Sequence, residues 1–246
     1  MLTNIQVVIV GAGPAGLVLG LLLAKKGIPV TILDAADDMN RNPRASHYAS
    51  PAIHELRRAG LMEEISAKGF CPNAVSWRRM DGSRIAGISS THVPLDHRIV
   101  CLPLDQLIPL IVSHLRAQQS AKLLFSHKVT RIGQDGNRAW VDVETPDGEK
   151  RFHASYVVGC DGATSKIRRE LFGDSFPGRT WDEQIVATNV GIPIGLCILE
   201  IRVLTGPGVL RHVSIQLGRL EFHHRSRSVL HGGKDTNGWP VARYLW

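Results

Sequence analysis

Residues 5–10, IQVVIV, are apolar or β-branched at nearly every position, the pattern of a strand buried on both faces. GAGPAG follows at 11–16, then an apolar stretch over residues 17–26 that reads as a helix stopped by Gly27. Residues 28–34, IPVTILD, form a second strand run that closes on an acid. Together these predict a βαβ unit. Residues 41–61, RNPRASHYASPAIHELRRAGL, read as an Arg-rich turn leading into an amphipathic helix, with Ile53, Leu56 and Leu61 as its apolar positions. Residues 101–115, CLPLDQLIPLIVSHL, predict a short extended segment entering a helix, with Gln106 near its start. Residues 155–171, SYVVGCDGATSKIRREL, predict a buried strand, a turn at Asp161-Gly162 and a basic helix start. Between these lie β-rich stretches. AVSWRRMDGSRIAGI (74–88) reads as a hairpin turning at Asp81-Gly82. Strands are expected around 123–125, 139–144 and 156–158, with a turn at Asp147-Gly148. The runs at 5–10, 29–33 and 156–160 should be neighbouring parallel strands, so the fold class is α/β with a parallel sheet and a partial β-layer from 74–100.

The 246 residues are 43% hydrophobic and 21% charged, which fits a globular core and excludes disordered, collagen-like and disulfide-scaffold chains. The four cysteines (Cys71, Cys101, Cys160, Cys197) are far apart, so a reduced, cytoplasmic protein is expected. The first strand run begins at Ile5, so no signal peptide is expected, and the longest apolar stretch (17–24) is too short to span a bilayer. The net charge is +7, of which residues 191–246 supply +4 from seven Lys/Arg against three acids. No helix-turn-helix, zinc-finger or RNA-binding aromatic motif accompanies that basicity, so no nucleic-acid partner is expected. The histidines show no metal-ligand spacing, and neither a Ser-His-Asp set nor a G-x-S-x-G elbow supports hydrolase chemistry.

GAGPAG fits G-x-G-x-x-G in the context that gives the motif meaning. Gly11 permits the tight turn, Gly13 lets backbone approach a pyrophosphate, and Gly16 allows the helix to pack on the strand. The helix start offers free N–H groups and a positive dipole end. Asp34 stands where an acid accepts hydrogen bonds from ribose hydroxyls. The motif serves NAD and FAD alike.

With CDGATSKIRREL added about one domain later, the chain resembles the flavin-dependent aromatic hydroxylases, the class A FAD-dependent monooxygenases, over residues 5 to about 190. GAGPAG is similar to that family's ADP-binding fingerprint. The Asp-Gly pair is similar to its second motif, which serves both FAD and NADPH. The resemblance implies FAD binding through Gly11, Gly13, Ala15, Gly16, Asp34, Arg44, Gln106, Asp161 and Gly162. Arg44 would lie near the flavin and pyrophosphate, Gln106 near the ribitol or a phosphate, and Asp161 at the cofactor ribose. It also implies hydroxylation of a small aromatic or polyketide-like compound with NADPH and O₂. The hard chemistry is then the cofactor's, so no catalytic side chain is assigned and no metal is expected. An inactive remnant with partial nucleotide-binding structure, and another FAD-dependent oxidoreductase on the same fold, are the alternatives.

The family's third motif, a Gly-Asp pair before a second flavin-binding helix, has no counterpart. Gly173-Asp174 lies too early, inside the turn FGDSFPG. After ATNV (187–190) the pattern collapses. Read one base later, the codons of residues 208–212 permit Val-Tyr-Tyr-Asp, and relatives resembling this chain continue ATNV as ATNVYYD. Residues 1–190 are therefore expected to be the FAD-binding domain. Residues 191–246 are expected to be an aberrant basic tail, without strand or helix period, from a retained intron or shifted frame. The chain is then truncated relative to the family.

Overall fold

A computed structural model describes residues 5–41, 45–79, 83–173, 175–179, 200–205, 212–216, 233–234 and 240–241. The chain divides into two compact units, Met1–Phe70 with Val100–Arg179, and Cys71–Ile99 with Thr180–Trp246.

The first unit is built on a parallel sheet. Its strands are β1 (Val7–Val10), β2 (Val30–Leu33), β7 (Ala121–Leu124) and β11 (Tyr156–Gly159), in the order β11-β1-β2-β7. Val8 is the register partner of Val157 on one side and of Thr31 on the other. The three predicted neighbours are neighbours, and β7 joins them as a fourth. Every residue of β1 and β2 is buried, which explains their unbroken apolar runs.

Helix α1 (Pro14–Lys25) links β1 to β2 and starts three residues earlier than the apolar run indicated, because Pro14 occupies its first turn. A Cβ at Gly20 would lie 2.5 Å from Ile32 Cδ1 and 3.7 Å from Ile9 Cδ1, so α1 lies directly on that face of the sheet. Helix α4 (Leu104–Arg116) packs beside α1 and leads into β7. All four strands are parallel, so α1 and α4 both run back against them. Their N-termini therefore share the edge where the strands end. Leu17, Leu21, Leu107, Ile108 and Ile111 are almost wholly buried; each contributes roughly 1.5–3 kcal/mol by leaving water.

The opposite face is covered by an antiparallel sheet of β8 (Lys128–Gln134), β9 (Ala139–Thr145) and β10 (Gly148–Ala154). Val8, Val10 and Leu33 pack there with Val129, Val141, Val143 and Ile167. Ile167 belongs to α5 (Lys166–Phe172). Strands β8 and β10 escape the hydrophobic pattern because a single residue of each, Val129 and Ala154, is buried. A two-stranded pair, β3 (His47–Tyr48) with β6 (Val100–Cys101), and helices α2 (Ser50–Arg58) and α3 (Met62–Lys68) complete the unit. Ile53 and Leu56 are the buried face of α2, as their spacing requires.

In the second unit, β4 (Ala74–Arg79) and β5 (Arg84–Ser89) pair antiparallel as the predicted hairpin. Its expected turn, Asp81-Gly82, lies outside the described residues. Strands β12 (Glu200–Thr205) and β13 (His212–Gln216) extend that sheet, with β12 parallel to β4. The expectation that residues 191–246 carry no strand period is corrected at these two segments. Strand order in that sheet comes from pairing with β4, which local periodicity does not report. A two-residue pair, β14 (Gly233–Lys234) with β15 (Pro240–Val241), is also described.

Candidate functional site

Gly11 ends β1 with φ +106, and a Cβ there would lie 2.3 Å from the Cys160 carbonyl oxygen and 2.9 Å from Asp161 Cα. Only glycine reconciles that dihedral and that approach. The two turns that carry the sequence motifs thus touch backbone to backbone, and the Cys160 N–H donates to Val10 O at 2.7 Å. A Cβ at Gly16 would lie 2.0 Å from Gly11 O, so α1 also closes onto the same turn. Gly13 differs from both. It is the N-cap of α1, with φ −71, no side-chain cap, and nothing within 4 Å of the place a Cβ would take. Pro14 and Ala15 beside it are exposed. The start of α1 is thus an uncapped set of N–H donors in open space.

Beside this turn is a cleft of about 560 Å³, lined by Gly11 and Asp34, by His127, Lys128 and Thr130, and by Asp161, Lys166 and Arg169 among others. Asp34 Oδ2 accepts the Ala12 N–H at 2.6 Å and Oδ1 accepts the Ala36 N–H at 2.8 Å. Asp161 Oδ1 accepts the Ser165 hydroxyl at 2.5 Å, and Oδ2 accepts the N–H groups of Lys166 at 2.6 Å and Ile167 at 3.1 Å. The Asp161 carboxylate therefore anchors the start of α5, a role the motif alone does not disclose. Gly162 takes φ +82 in the intervening turn. The His127 ring joins Phe125 O through Nδ1 at 2.7 Å. A carbonyl only accepts, so Nδ1 carries a proton. Two cations at the rim are paired, Lys128 with Glu144 and Lys166 with Glu170.

A sequence model of the family described as FAD binding domain matches residues 4–192. The chain belongs to this family. It is 34% identical over 188 residues to para-nitrophenol 4-monooxygenase of Pseudomonas sp. strain WBC-3, covering 75% of this chain and 46% of that protein. It is 31% identical over 189 residues to 6-hydroxy-3-succinoylpyridine 3-monooxygenase HspB of Pseudomonas putida strain DSM 28022 / S16, covering 75% and 48%. The crystal structure of p-nitrophenol 4-monooxygenase PnpA from Pseudomonas putida DLL-E4 aligns with a TM-score of 0.65 at 29% identity, over 70% of this chain and 44% of that one. Aklavinone-11 hydroxylase, solved with FAD and aklavinone, aligns at 0.60 over 70% of this chain and 35% of that one; at 24% identity it shows the shared fold. The chain spans about half the length of the two curated relatives.

The residues present fit the family's dinucleotide at its adenosine and pyrophosphate end. Gly11, Asp34 and Asp161 meet at one cleft, within the size range of ligand pockets, and Gly13 leaves room at a free helix start. Gln106 is half-buried in the first turn of α4 and is not among the residues lining that cleft. Arg44 lies outside the described residues. Sequence reasoning missed His127 in the β7–β8 connection and Lys128 and Thr130 at the start of β8, which no motif marks. It also missed Tyr48 and Asp105. The Tyr48 hydroxyl, Asp105 Oδ1 and His47 Nε2 are buried without a hydrogen-bond partner. Asp105 sits in the first turn of α4, at the sheet edge that α4 shares with the start of α1. Burial, and then the charges of Asp105 and Cys101, push the Tyr48 hydroxyl up to about 12. Burial holds the His47 imidazole below its usual value. Buried polar atoms left unpaired are costly and call for a partner.

No group of three His, Cys, Asp or Glu among the described residues is arranged to hold a metal ion. No helix among them is long and apolar enough to cross a membrane.

Proposed function

We propose that this chain binds FAD through the α1 start and the adjoining cleft, and that the protein is an FAD-dependent monooxygenase of a small aromatic compound, with NADPH as reductant. One observation carries the reading. Gly11, Asp34 and Asp161 lie at the ends of β1, β2 and β11, 150 positions apart at the extremes, and line a single cleft beside an uncapped helix start. Ligands of open parallel sheets bind at such strand ends. Both relatives named above from sequence are monooxygenases.

Bound flavin would supply hydride acceptance and the activation of O₂. The chain's own residues bind and orient it. The N–H groups at Ala15 and Gly16 would take the pyrophosphate, with Gly13 contributing its lack of a side chain. Asp34 and Asp161 would accept hydrogen bonds from ribose hydroxyls through lone pairs that their present partners leave free. His127 and Thr130, which line the same cleft, would lie on the side of the base. Gln106 and Asp105 from α4 and Tyr48 from β3 would serve the middle of the cofactor, and the family resemblance puts Arg44 near the flavin and pyrophosphate.

The test is titration of purified chain with FAD, followed by NADPH consumption and product analysis on a panel of phenols. A flavin-bound chain that oxidises NADPH and hydroxylates a phenol meets the proposal. Failure to take up FAD overturns it. A second reading is favoured by the family match ending at residue 192. In it, residues 191–246 derive from an unspliced or frame-shifted stretch, and the chain binds nucleotide without hydroxylating. Sequencing transcripts across codon 190 decides this: a spliced message that continues in another frame supports it, and an unbroken message overturns it.

A further inference from the structure

Asp34 follows β2 and lines the cleft. Its geometry shows that the carboxylate is already engaged with the chain. Oδ1 closes a local turn on the Ala36 N–H, two residues on, a bond that suits the short Asp side chain. Oδ2 reaches 22 positions back to the Ala12 N–H at 2.6 Å. Ala12 is the second residue of GAGPAG and is only 6% exposed. The neighbouring backbone bonds run from Gly11 N–H to Leu33 O and from Leu17 N–H to Gly13 O. The bond to Asp34 is the side-chain tie on this turn, and it lies immediately before Gly13, where space is left open.

We infer that Asp34 is a positioning residue for the pyrophosphate half of the nucleotide. By clamping Ala12 it holds the turn of residues 11–16 in its receptive shape before any ligand arrives. It therefore strengthens binding of phosphates it does not touch. This rests on the nucleotide reading above and goes beyond it, because a residue acting only on the ribose would leave phosphate binding unchanged.

Asp34→Asn tests the clamp. An amide offers one acceptor where the carboxylate offers two, so it cannot serve both Ala12 and Ala36. Two readouts separate the roles. The first is amide hydrogen exchange at Ala12 in ligand-free protein, with Val8 and Ile9 of β1 as internal references. The second is calorimetric affinity for ADP and for 2′,3′-dideoxy-ADP, which keeps both phosphates but lacks the ribose hydroxyls. The expected result is faster exchange at Ala12 with β1 unchanged, and a loss of about tenfold or more for both nucleotides, as for other charged hydrogen bonds. Loss confined to ADP, with Ala12 exchange unchanged, overturns the inference and leaves the FAD reading standing. Wild-type chain that binds neither nucleotide overturns both. Should the asparagine variant fail to fold by circular dichroism, Asp34→Glu takes its place. It keeps the acid for the ribose but displaces it from Ala12, so dideoxy-ADP affinity should fall; unchanged affinity for that analogue overturns the clamp.

Discussion

Gly13→Ala separates a ligand-imposed glycine from a fold-imposed one. At Gly13 the backbone has φ −71, which alanine adopts without strain, and a new Cβ would meet nothing within 4 Å. Alanine is a poorer helix N-cap than glycine by up to about 1 kcal/mol. It also reduces the freedom of the unfolded chain, worth about 0.4–1 kcal/mol in the opposite direction. The two nearly cancel, so unliganded stability should change by less than about 0.5 kcal/mol, or Tm by under about 2 °C in a domain of this size. A ligand that needs the open space meets the methyl directly. Overpacking of that kind costs roughly 1–3 kcal/mol, which is about 5- to 150-fold in Kd. Differential scanning fluorimetry of the ligand-free chain and quenching of FAD fluorescence give the two numbers. A Tm drop of about 5 °C or more would show that the glycine is structural after all. Unchanged FAD affinity would show that no phosphate passes there.

Gly11→Ala should do the reverse. Positive φ and a Cβ 2.3 Å from the Cys160 carbonyl should cost about 2–5 kcal/mol in strain and overpacking, read as a lower urea midpoint without ligand; an unchanged midpoint sinks the argument. Asp161→Ala should destabilise the chain by about 1–3 kcal/mol in urea titration, because the Lys166 and Ile167 N–H groups lose their acceptor; helix α5 should show raised amide exchange. For Tyr48, the folded value is raised to about 12 above the ordinary 10. The stability gained by keeping this phenol neutral is fully present below pH 10 and is lost as pH rises through about 12. The absorbance difference at 295 nm between wild type and Tyr48→Phe should therefore develop only near pH 12, and a midpoint near the ordinary value contradicts the burial of this hydroxyl.

The βαβ start was legible in the sequence because everything that specifies it is local. β1 and β2 are buried on both faces, so their residues carry unbroken apolar runs, and the acid at 34 marks where the second run ends. The partnership of β11 with β1 was also anticipated, through the Asp-Gly turn that follows a similar apolar run; the expected burial of that run is corrected, because β11 is an edge strand, exposed at Tyr156 and Gly159 and half-buried between them. Strands β8 and β10 were not, since one face of each is wet and the pattern dilutes to single buried residues such as Val129 and Ala154. The glycines show the same division. Sequence gives 11 to the tight turn, 13 to the approach of a pyrophosphate and 16 to helix packing, without naming what each one touches. Only the folded chain assigns Gly11 to the Cys160 carbonyl, Gly16 to the carbonyl of Gly11, and Gly13 to empty space. His127 and Thr130 belong to the cleft solely because β7 pairs with β2 and delivers the next segment beside Asp34. Local periodicity reports how deeply a residue is buried. Which strand lies next to which is decided by pairing between distant segments, and a site assembled from strand ends inherits that non-local choice.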